Sequence, residues 1–205
     1  MSYLVDYVII LSKKEGQVIV LNLRIISGKY KGKKIKTCGL STTRETTDRT
    51  KETIFNLIGQ YFDGGIALDL FAGSGSLGLE AISRGIRVCI FGDNNPKAIK
   101  TIEENVLSLK LEKVEYKIIK NDYELVLKEL IAYKINLDLV FLDPPYYDID
   151  LNKLLSIIDN YPYFNKKAMI IVEHAKEYLL PDMPNFSIFK SRAIGRRTIT
   201  ILERN

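Results

Sequence analysis

Residues 143–146 read Asp-Pro-Pro-Tyr and follow an apolar run. Proline cannot donate a backbone hydrogen bond to a sheet, so the strand is expected to end here. Asp143 and the Pro144 carbonyl could each accept one N–H of an exocyclic amine, while Tyr146 stacks on the attached base. With Pro145 completing the rigid turn, these four residues are the candidate catalytic group for chemistry at an amine nitrogen.

A glycine-rich segment, DLFAGSGSLG, occupies residues 69–78. Gly73, Gly75 and Gly78 match the pattern GxGxxG, between a predicted strand and a predicted helix. Glycines there allow a tight turn and close approach of the backbone to a ligand. Nicotinamide enzymes and methyl-donor enzymes both use such a loop, so the loop alone does not choose the cofactor.

Polar residues also follow the next two predicted strands. Asp93 could accept hydrogen bonds from both hydroxyls of a ribose, or it could cap the helix that begins at Pro96. Asp122 could reach an adenine edge, or cap the helix after it. The residues that we expect to contact a cofactor are Asp69, Phe71, Gly73, Gly75, Asp93, Asn94, Asn121 and Asp122.

The turn that begins at Asp143 distinguishes a methyl-donor enzyme from a nicotinamide enzyme. Hydride transfer has no use for a carboxylate and a carbonyl that hold an amine, whereas methyl transfer to that amine does. Such a transfer needs neither a covalent intermediate nor a metal, and we expect no metal site. The lone histidine, His174, ends the fifth predicted strand; we expect it to have no chemical role, with a general base as the alternative.

The elements that position these residues alternate along the chain from residue 66. Apolar runs predict strands and 3.6-residue periodicity predicts helices. The last segment, 186–204, reads as two strands around a glycine turn. We therefore predict an α/β, Rossmann-like, seven-stranded and mostly parallel sheet with an antiparallel C-terminal hairpin and helices on both faces. The predicted strands are 66–71, 87–92, 114–120, 137–143 and 168–174, and the helices are 76–85, 96–109, 123–133 and 151–161.

Ligands of such sheets bind at the carboxyl ends of the strands. The Asp143 turn lies beside the glycine loop if the first and fourth strands are neighbours. An earlier helix is predicted over 46–62, capped by Asp48 or a nearby threonine, with an apolar face. That face comprises Ile54, Leu57, Ile58 and Tyr61.

The net charge is +5, and its distribution is uneven. Residues 24–51 hold nine basic and two acidic residues, a local charge of +7, so the rest of the chain sums to −2. A basic segment suits a polyanion partner, although a solvated lysine-rich surface would look the same. The nine are Arg24, Lys29, Lys31, Lys33, Lys34, Lys36, Arg44, Arg49 and Lys51.

The 205 residues suit one domain. The cysteines, Cys38 and Cys89, lack metal-ligand spacing and favour a reducing compartment. No apolar run approaches the ~20 residues of a membrane span. Residues 3–11 are apolar but carry no basic leader or cleavage site, so we expect a cytoplasmic protein. Residues 1–22 could form two short strands or an extension without a role.

Several segments together resemble the bacterial 16S ribosomal RNA guanine-N2 methyltransferase family called RsmD. DLFAGSGSLGLEAISRG and DPPY resemble class I S-adenosylmethionine-dependent methyltransferases that act on amino groups. RIISGKYKGKKI (24–35), RETTDRTKETIFN (44–56) and GRRTITIL (195–202) narrow the resemblance to RsmD. It covers about residues 24–203.

The resemblance implies S-adenosylmethionine as cofactor and a guanine of 16S RNA, in the small subunit or an assembly intermediate, as substrate. It places Asp69, Gly73 and Gly75 in the donor loop, Asp93 at the ribose and Asp122 near the adenine, with Asp143 to Tyr146 as the catalytic motif. We expect a monomer. The residues expected to face RNA are Arg24, Lys29, Lys31, Lys33, Lys34, Arg44, Thr46, Asp48, Arg49 and Glu52.

The chain departs from the family pattern in two places. Glu45 stands where the family usually has proline, which removes rigidity and adds a negative charge near the expected RNA path. The family tends to start near Leu23, so residues 1–22 have no counterpart, which a misassigned start codon would explain. We expect an N-terminal extension over 1–23 and a single methyltransferase domain over 24–205 with its basic leader at 24–51.

Other functions stay open at this point. A DNA adenine-N6 methyltransferase shares the chemistry but usually needs a base-reading module. A protein glutamine methyltransferase would have no use for the basic leader. A non-catalytic RNA-binding assembly factor could keep the fold, and a nicotinamide dehydrogenase is supported by GxGxxG and Asp93 alone.

Overall fold

The computed structural model describes residues 23–39, 47–145 and 149–205, and the backbone of residues 10–11 and 18–19. Short strands β1 (Ile10–Leu11) and β2 (Val18–Ile19) pair antiparallel, as one of the two expectations for the N-terminal segment requires. The chain continues through β3 (Leu23–Arg24) and β4 (Lys34–Ile35), which also pair antiparallel. The sequence patterns did not predict this second pair.

Helix α1 (Asp48–Ile58) begins after Thr47, whose side chain accepts a hydrogen bond from the Thr50 amide, so a threonine rather than Asp48 caps the helix. The helix ends before Gly59, which has a φ of +118°. Tyr61, predicted on the apolar face, therefore lies beyond the helix and is exposed. Ile54, Phe55 and Ile58 form the buried face instead.

Strands and helices then alternate as predicted, with bounds that differ by a few residues at most of their ends. The longest difference is at the fifth predicted strand, which starts at Phe164 rather than 168. The elements are β5 (Ile66–Asp69), α2 (Ser76–Ser83), β6 (Val88–Asp93), α3 (Pro96–Ser108), β7 (Tyr116–Lys120), α4 (Tyr123–Ala132), β8 (Leu137–Leu142), α5 (Leu151–Asp159), β9 (Phe164–Ala175), β10 (Phe186–Ile194) and β11 (Arg197–Arg204).

The main sheet has seven strands in the order β10-β11-β9-β8-β5-β6-β7. Strands β5 to β9 are parallel to one another, while β11 pairs antiparallel with both β9 and β10. The predicted fold is confirmed. Strands β5 and β8 are adjacent, with Asp69 opposite Phe141, so the condition that brings the Asp143 turn beside the glycine loop is met.

Two apolar clusters fill the two sides of the sheet. Helices α1, α2 and α3 pack on one face together with Leu23, Ile25 and Ile35 from the basic leader. Helices α4 and α5 pack on the other face. Helix α1 also contacts β11, so the leader and α1 cover the sheet face to which Ile199 and Ile201 of the C-terminal hairpin belong.

Within the described part of the chain, no helix combines the length and the apolar composition that crossing a membrane would require. The same residues contain no group of three or more potential metal ligands close enough to share an ion.

Candidate active site

The glycine loop between β5 and α2 is a tight backbone turn. Gly73 and Gly75 have φ of +54° and +77°, a region that side-chain-bearing residues rarely adopt. Gly78 is needed for a different reason: a Cβ there would lie 2.4 Å from Phe91 Cε1 and 2.5 Å from Cys89 Sγ. The third glycine of the motif therefore lets α2 pack closely on β6.

Two carboxylates hold this loop in place. The Gly73 amide donates to Asp93 Oδ2 at 2.9 Å, and the Gly78 amide donates to Asp69 Oδ2 at 3.0 Å. Asp69 is buried, and burial raises its pKa to about 7, with the charges of Asp143 and Asp93 adding to the rise and the Gly78 amide opposing it. Asp69 is therefore a support beneath the loop.

Asp93 is not the cap of α3. Asn95 takes that position and accepts from the Lys97 amide at 2.9 Å, while Asp93 Oδ1 accepts from the Asn95 amide at 2.8 Å. Asp93 thus joins the glycine loop to the end of β6. Asn94, between Asp93 and Asn95, is exposed.

Asp122 caps α4, because its Oδ1 accepts from the Leu125 amide at 3.0 Å. The alternative interpretation of this residue is thus observed, while its contact with an adenine stays a prediction. Asn121 lies beside Asp93, to whose carbonyl its amide donates at 3.1 Å. Phe71 pairs its ring with Tyr123 at 5.9 Å between centroids. Tyr123 follows Asp122 directly and was not singled out from the sequence, although an aromatic residue at that position was the available signal.

One further feature of the donor loop points to a ligand. The Ser76 hydroxyl, at the first turn of α2, is buried and makes no hydrogen bond among the described residues. A buried polar group without a partner is costly, and a water molecule, an ion or a ligand can supply the missing hydrogen bond. Together with the glycine backbone and the Asp93 carboxylate, the Ser76 hydroxyl fits a ligand that carries both an anionic group and a ribose, as S-adenosylmethionine does.

Asp143 follows β8 and is half-buried. Arg197 Nη1, at the start of β11, lies 3.9 Å from Asp143 Oδ1 and also pairs with Glu173 Oε1 on β9. One guanidinium thus lies between two carboxylates at the carboxyl edge of the sheet and offsets part of their negative charge. Arg197 belongs to the segment GRRTITIL, but sequence position alone predicts no role for it, because only the insertion of β11 beside β9 brings it to Asp143.

A cleft of about 280 Å³ opens beside the catalytic turn. Its walls come from that turn, the start of α5 and the end of β9, and include Pro144, Pro145, Asp150, Asn152, His174 and Tyr178. It lies beyond the carboxyl ends of β8 and β9, next to the turn that begins at Asp143.

His174 lines this cleft but is held by its neighbours. Its Nδ1 lies 2.8 Å from the Ala175 carbonyl, which can only accept, so Nδ1 donates. Its Nε2 lies 2.9 Å from the Thr200 hydroxyl. The ring meets Tyr178 edge to face at 5.7 Å. These contacts fix the orientation of the ring, and the expectation that His174 has no chemical role stays a prediction.

The basic leader folds against α2 through an acidic anchor. The amides of Ile26 and Ser27 donate to Glu80 at 2.7 and 3.0 Å. Gly28 passes so close that a Cβ would lie 1.7 Å from the Ser83 carbonyl oxygen. The loop presents Lys31, Lys33 and Lys34 as exposed side chains, as a polyanion contact requires.

Lys51, one of the nine basic residues counted in segment 24–51, does not face solvent. Lys51 is completely buried, donates to the Arg24 carbonyl at 2.5 Å and lies 4.0 Å from Glu80 Oε2. Burial lowers its pKa, while Glu80 and Asp48 oppose this effect. The expectation that Lys51 contributes to a polyanion surface was wrong, because Lys51 completes the charge balance of the anchor.

Of the other residues expected to face RNA, Arg24, Lys29, Arg49 and Glu52 are exposed. Arg24 also pairs with Asp48 at 2.9 Å. Arg44 and Thr46, with the departure at Glu45, lie outside the described residues, and so does the catalytic candidate Tyr146.

Comparison with known proteins identifies the family to which the chain is similar. The family described as Conserved hypothetical protein 95 matches residues 23–203. YlbH of Bacillus subtilis, named as a candidate rRNA methyltransferase, is 46% identical over 160 residues, 78% of this chain and 86% of its own. Ribosomal RNA small subunit methyltransferase D of Buchnera aphidicola is 32% identical, over 82% of this chain and 86% of its own.

A solved structure gives the same answer for the fold. The candidate methylase HI0767 of Haemophilus influenzae superposes with a TM-score of 0.74 at 28% identity, covering 89% of this chain and 98% of its own. The resemblance inferred from the motifs is therefore confirmed. The chain belongs to the Conserved hypothetical protein 95 family, whose relatives here include several proteins named ribosomal RNA small subunit methyltransferase D, the RsmD family.

Proposed function

We propose that this protein transfers a methyl group from S-adenosylmethionine to the exocyclic N2 amine of a guanine in 16S ribosomal RNA, within the small subunit or its assembly intermediate. The observation that carries the proposal is the position of Asp143, directly beside the glycine loop at the carboxyl edge of adjacent strands. The names of the family relatives supply the RNA class.

The donor side would be held by residues already described. Gly73 and Gly75 leave room for a ligand against the loop backbone, and the Ser76 hydroxyl can donate to its carboxylate. Asp93 would accept from the ribose hydroxyls, and Phe71 with Tyr123 offers aromatic surface at the loop edge. When bound, S-adenosylmethionine supplies the electrophilic methyl group.

The acceptor side would be organised by the catalytic turn. The guanine amine is a poor nucleophile, because its lone pair is delocalised into the ring. Asp143 and the Pro144 carbonyl would each accept one N–H, which favours a pyramidal nitrogen whose lone pair points at the methyl carbon. Transfer of the methyl group would leave the amine nitrogen cationic and would release the donor as a neutral thioether. One proton then leaves toward the Asp143 carboxylate and on to solvent.

The cleft beside Pro144 and Pro145 would receive the target nucleotide. A paired or stacked guanine cannot present its amine to Asp143, so the base has to be splayed out or flipped. Tyr146 would stack on the base as the sequence predicts. The cleft is open enough to admit a nucleotide and adjoins the turn that holds the amine.

The experiment that tests this function supplies methyl-labelled S-adenosylmethionine with four possible acceptors. These are small subunits that lack the modification, naked 16S RNA, duplex DNA and a protein extract. We expect label at guanine N2 at one position of 16S RNA. Label in DNA adenine or in protein would show that the proposed substrate is wrong, while methyl transfer to an amino group would remain. No label, with the cofactor still bound, would favour a non-catalytic assembly factor.

A further inference from the structure

The C-terminal hairpin, residues 186–204, is a second basic region of the chain. Strands β10 and β11 join through Gly195 and Arg196. Between Met183 and Leu202 the sequence contains no acidic residue and four basic ones. These are Lys190, Arg192, Arg196 and Arg197. Arg197 is engaged with carboxylates at the active site, which leaves the other three for a different role.

The outer strand of the hairpin is open to solvent. Strand β10 ends the order of the seven-stranded sheet, and every residue from 187 to 193 is exposed. Arg196, in the turn, is exposed as well. A strand that packs on a core usually alternates between buried and exposed residues, and this one does not. It presents its side chains to a partner or to water.

Two of the basic side chains lie on the α1 side of the sheet. Arg192 is opposite Ile199 and Lys190 is opposite Ile201, and directly opposed residues of antiparallel strands share a face. Ile199 and Ile201 belong to the core that α1 covers. Lys190 confirms this placement, because its Nζ donates to the Leu57 carbonyl at 3.1 Å, at the end of α1.

The same helix links the hairpin to the basic leader. Arg24 contacts Asp48 at the first residue of α1, and Lys190 contacts Leu57 near its last residue. Asp48 and Leu57 are nine residues apart in this helix, so the two contacts are separated by about 14 Å along its axis. A strand of RNA that crosses α1 could therefore meet cations at both ends. The acidic residues of α1 are the partly exposed Asp48, which pairs with Arg24, and the exposed Glu52.

The hairpin turn also reaches the catalytic edge. Because β11 runs antiparallel to β9, Arg197 is opposite Ala175, at the carboxyl end of β9. Arg196 is adjacent in sequence, and its carbonyl accepts from the Lys176 amide at 3.1 Å. The basic turn therefore borders the site to which Asp143 belongs.

A simpler account is that these charges protect the sheet edge, since lysine on an edge strand discourages pairing with another chain. Exposed Ile188 and Phe189 would make such protection useful. Edge protection does not require the absence of every acidic residue over twenty positions, nor the placement of Lys190 and Arg192 on the side of the leader. Charge complementarity with a polyanion explains both features.

We propose that Lys190, Arg192 and Arg196 form a second contact for the phosphate backbone of the RNA substrate, so that one RNA segment is held by the leader and by the hairpin on either side of α1. This inference rests on the proposed function and adds a binding surface to it.

The test compares two variants that each lose two positive charges. K190Q/R192Q removes the hairpin pair, and K113Q/K128Q removes exposed lysines near β7 and on α4, at the other end of the sheet. The measurements are the dissociation constant for unmodified small subunits at several salt concentrations, and kcat and KM for methylation. Cofactor affinity and thermal unfolding show whether each variant is intact.

Each phosphate contact contributes about 0.7 to 0.9 to the slope of log K against log salt. The hairpin variant should therefore have a slope smaller in magnitude by about 1.5, a dissociation constant raised on the order of tenfold, and a higher KM at unchanged kcat. The control variant should match the wild type. An R196Q change should add a further loss of about 0.8 in slope.

Equal salt slopes for the two variants would overturn the inference. So would self-association of K190Q/R192Q with unchanged RNA affinity, since that result assigns the charges to edge protection. These outcomes are separable from a failure of the proposed function: a wild-type protein that binds RNA without methylating it still allows the salt slopes to be compared. A wild-type protein that neither binds nor methylates RNA would overturn both.

Discussion

Arg197 Nη1 lies 3.9 Å from Asp143 Oδ1 while it pairs with Glu173, so the candidate catalytic carboxylate is one corner of a three-residue charge cluster. Asp143 follows β8, Glu173 lies on β9 and Arg197 starts β11. Three neighbouring strands thus converge on one guanidinium. The carboxylates of Asp143 and Glu173 would repel each other at this edge, and the positive charge of Arg197 offsets that repulsion.

The first prediction concerns this arginine. R197Q should lower kcat on the order of a hundredfold, because a catalytic group displaced by about 1 Å loses that much. Cofactor affinity should stay within twofold, since β9 and β8 separate β11, where Arg197 lies, from β5, which leads into the glycine loop. Rapid-mix methylation kinetics with saturating RNA provide the measurement.

The matched control for R197Q is R87Q, an exposed arginine just before β6, at the opposite edge of the sheet. An equal loss of kcat in both variants, or a loss confined to KM, would show that Arg197 does not position Asp143.

Asp93 is predicted to govern cofactor affinity. D93A should weaken S-adenosylmethionine binding about 10- to 100-fold, because it removes charged hydrogen bonds to the ribose and releases the Gly73 amide. Calorimetric titration measures the change. D63A, an exposed aspartate before β5, should bind like the wild type. Unchanged affinity in D93A would remove Asp93 from the donor site.

Glu80 is predicted to tie the leader to the fold. E80Q should reduce the free energy of unfolding by about 3 kcal/mol, since it leaves buried Arg84 without its counter-charge and buried Lys51 with Asp48 as its remaining carboxylate. Chemical denaturation of E80Q and of the exposed-site control E103Q measures the difference. A change below about 0.5 kcal/mol in E80Q, as expected for the control, would mean that the anchor is dispensable.

Asp69 should make stability depend on pH. Its pKa of about 7 in the folded protein exceeds the value of about 3.9 in the unfolded chain, so the folded state holds a proton that the unfolded state loses between these values. The stabilisation is complete below pH 4 and declines as pH rises to 7. D69N stays neutral and keeps an acceptor for the Gly78 amide. The difference in unfolding free energy, wild type minus D69N, should fall by roughly 1.4 kcal/mol per pH unit in this window. A flat difference would contradict the shift.

Much of the fold could be predicted because its signals are local. Gly73 and Gly75 mark the loop, Pro96 marks the start of α3, and apolar runs mark the parallel strands. The end of α1 was misplaced, since the apolar repeat continued to Tyr61 although Gly59 had already ended the helix. The leader pair β3–β4 was missed because its stabilising contacts come from Glu80 and Ser83, more than fifty residues away.

The site was predictable to a similar degree. The residues of the glycine loop, Asp93 and Asp143 converge as their motifs indicate. Two assignments required the fold: Lys51 counts as basic in the sequence but is buried, and Arg197 reaches Asp143 only because β11 lies beside β9. The roles of Arg44, Thr46 and Tyr146, the division at residue 23 and the monomeric state stay predictions.

The central claim is that Asp143 enables methylation of guanine N2. The most direct measurement is mass analysis of nucleosides from small-subunit RNA after incubation with the wild type and with D143A. The account predicts N2-methylguanosine with the wild type and a loss of at least a hundredfold with D143A, at unchanged cofactor affinity. N2-methylguanosine at the wild-type rate with D143A, or a different modified nucleoside with the wild type, would contradict it.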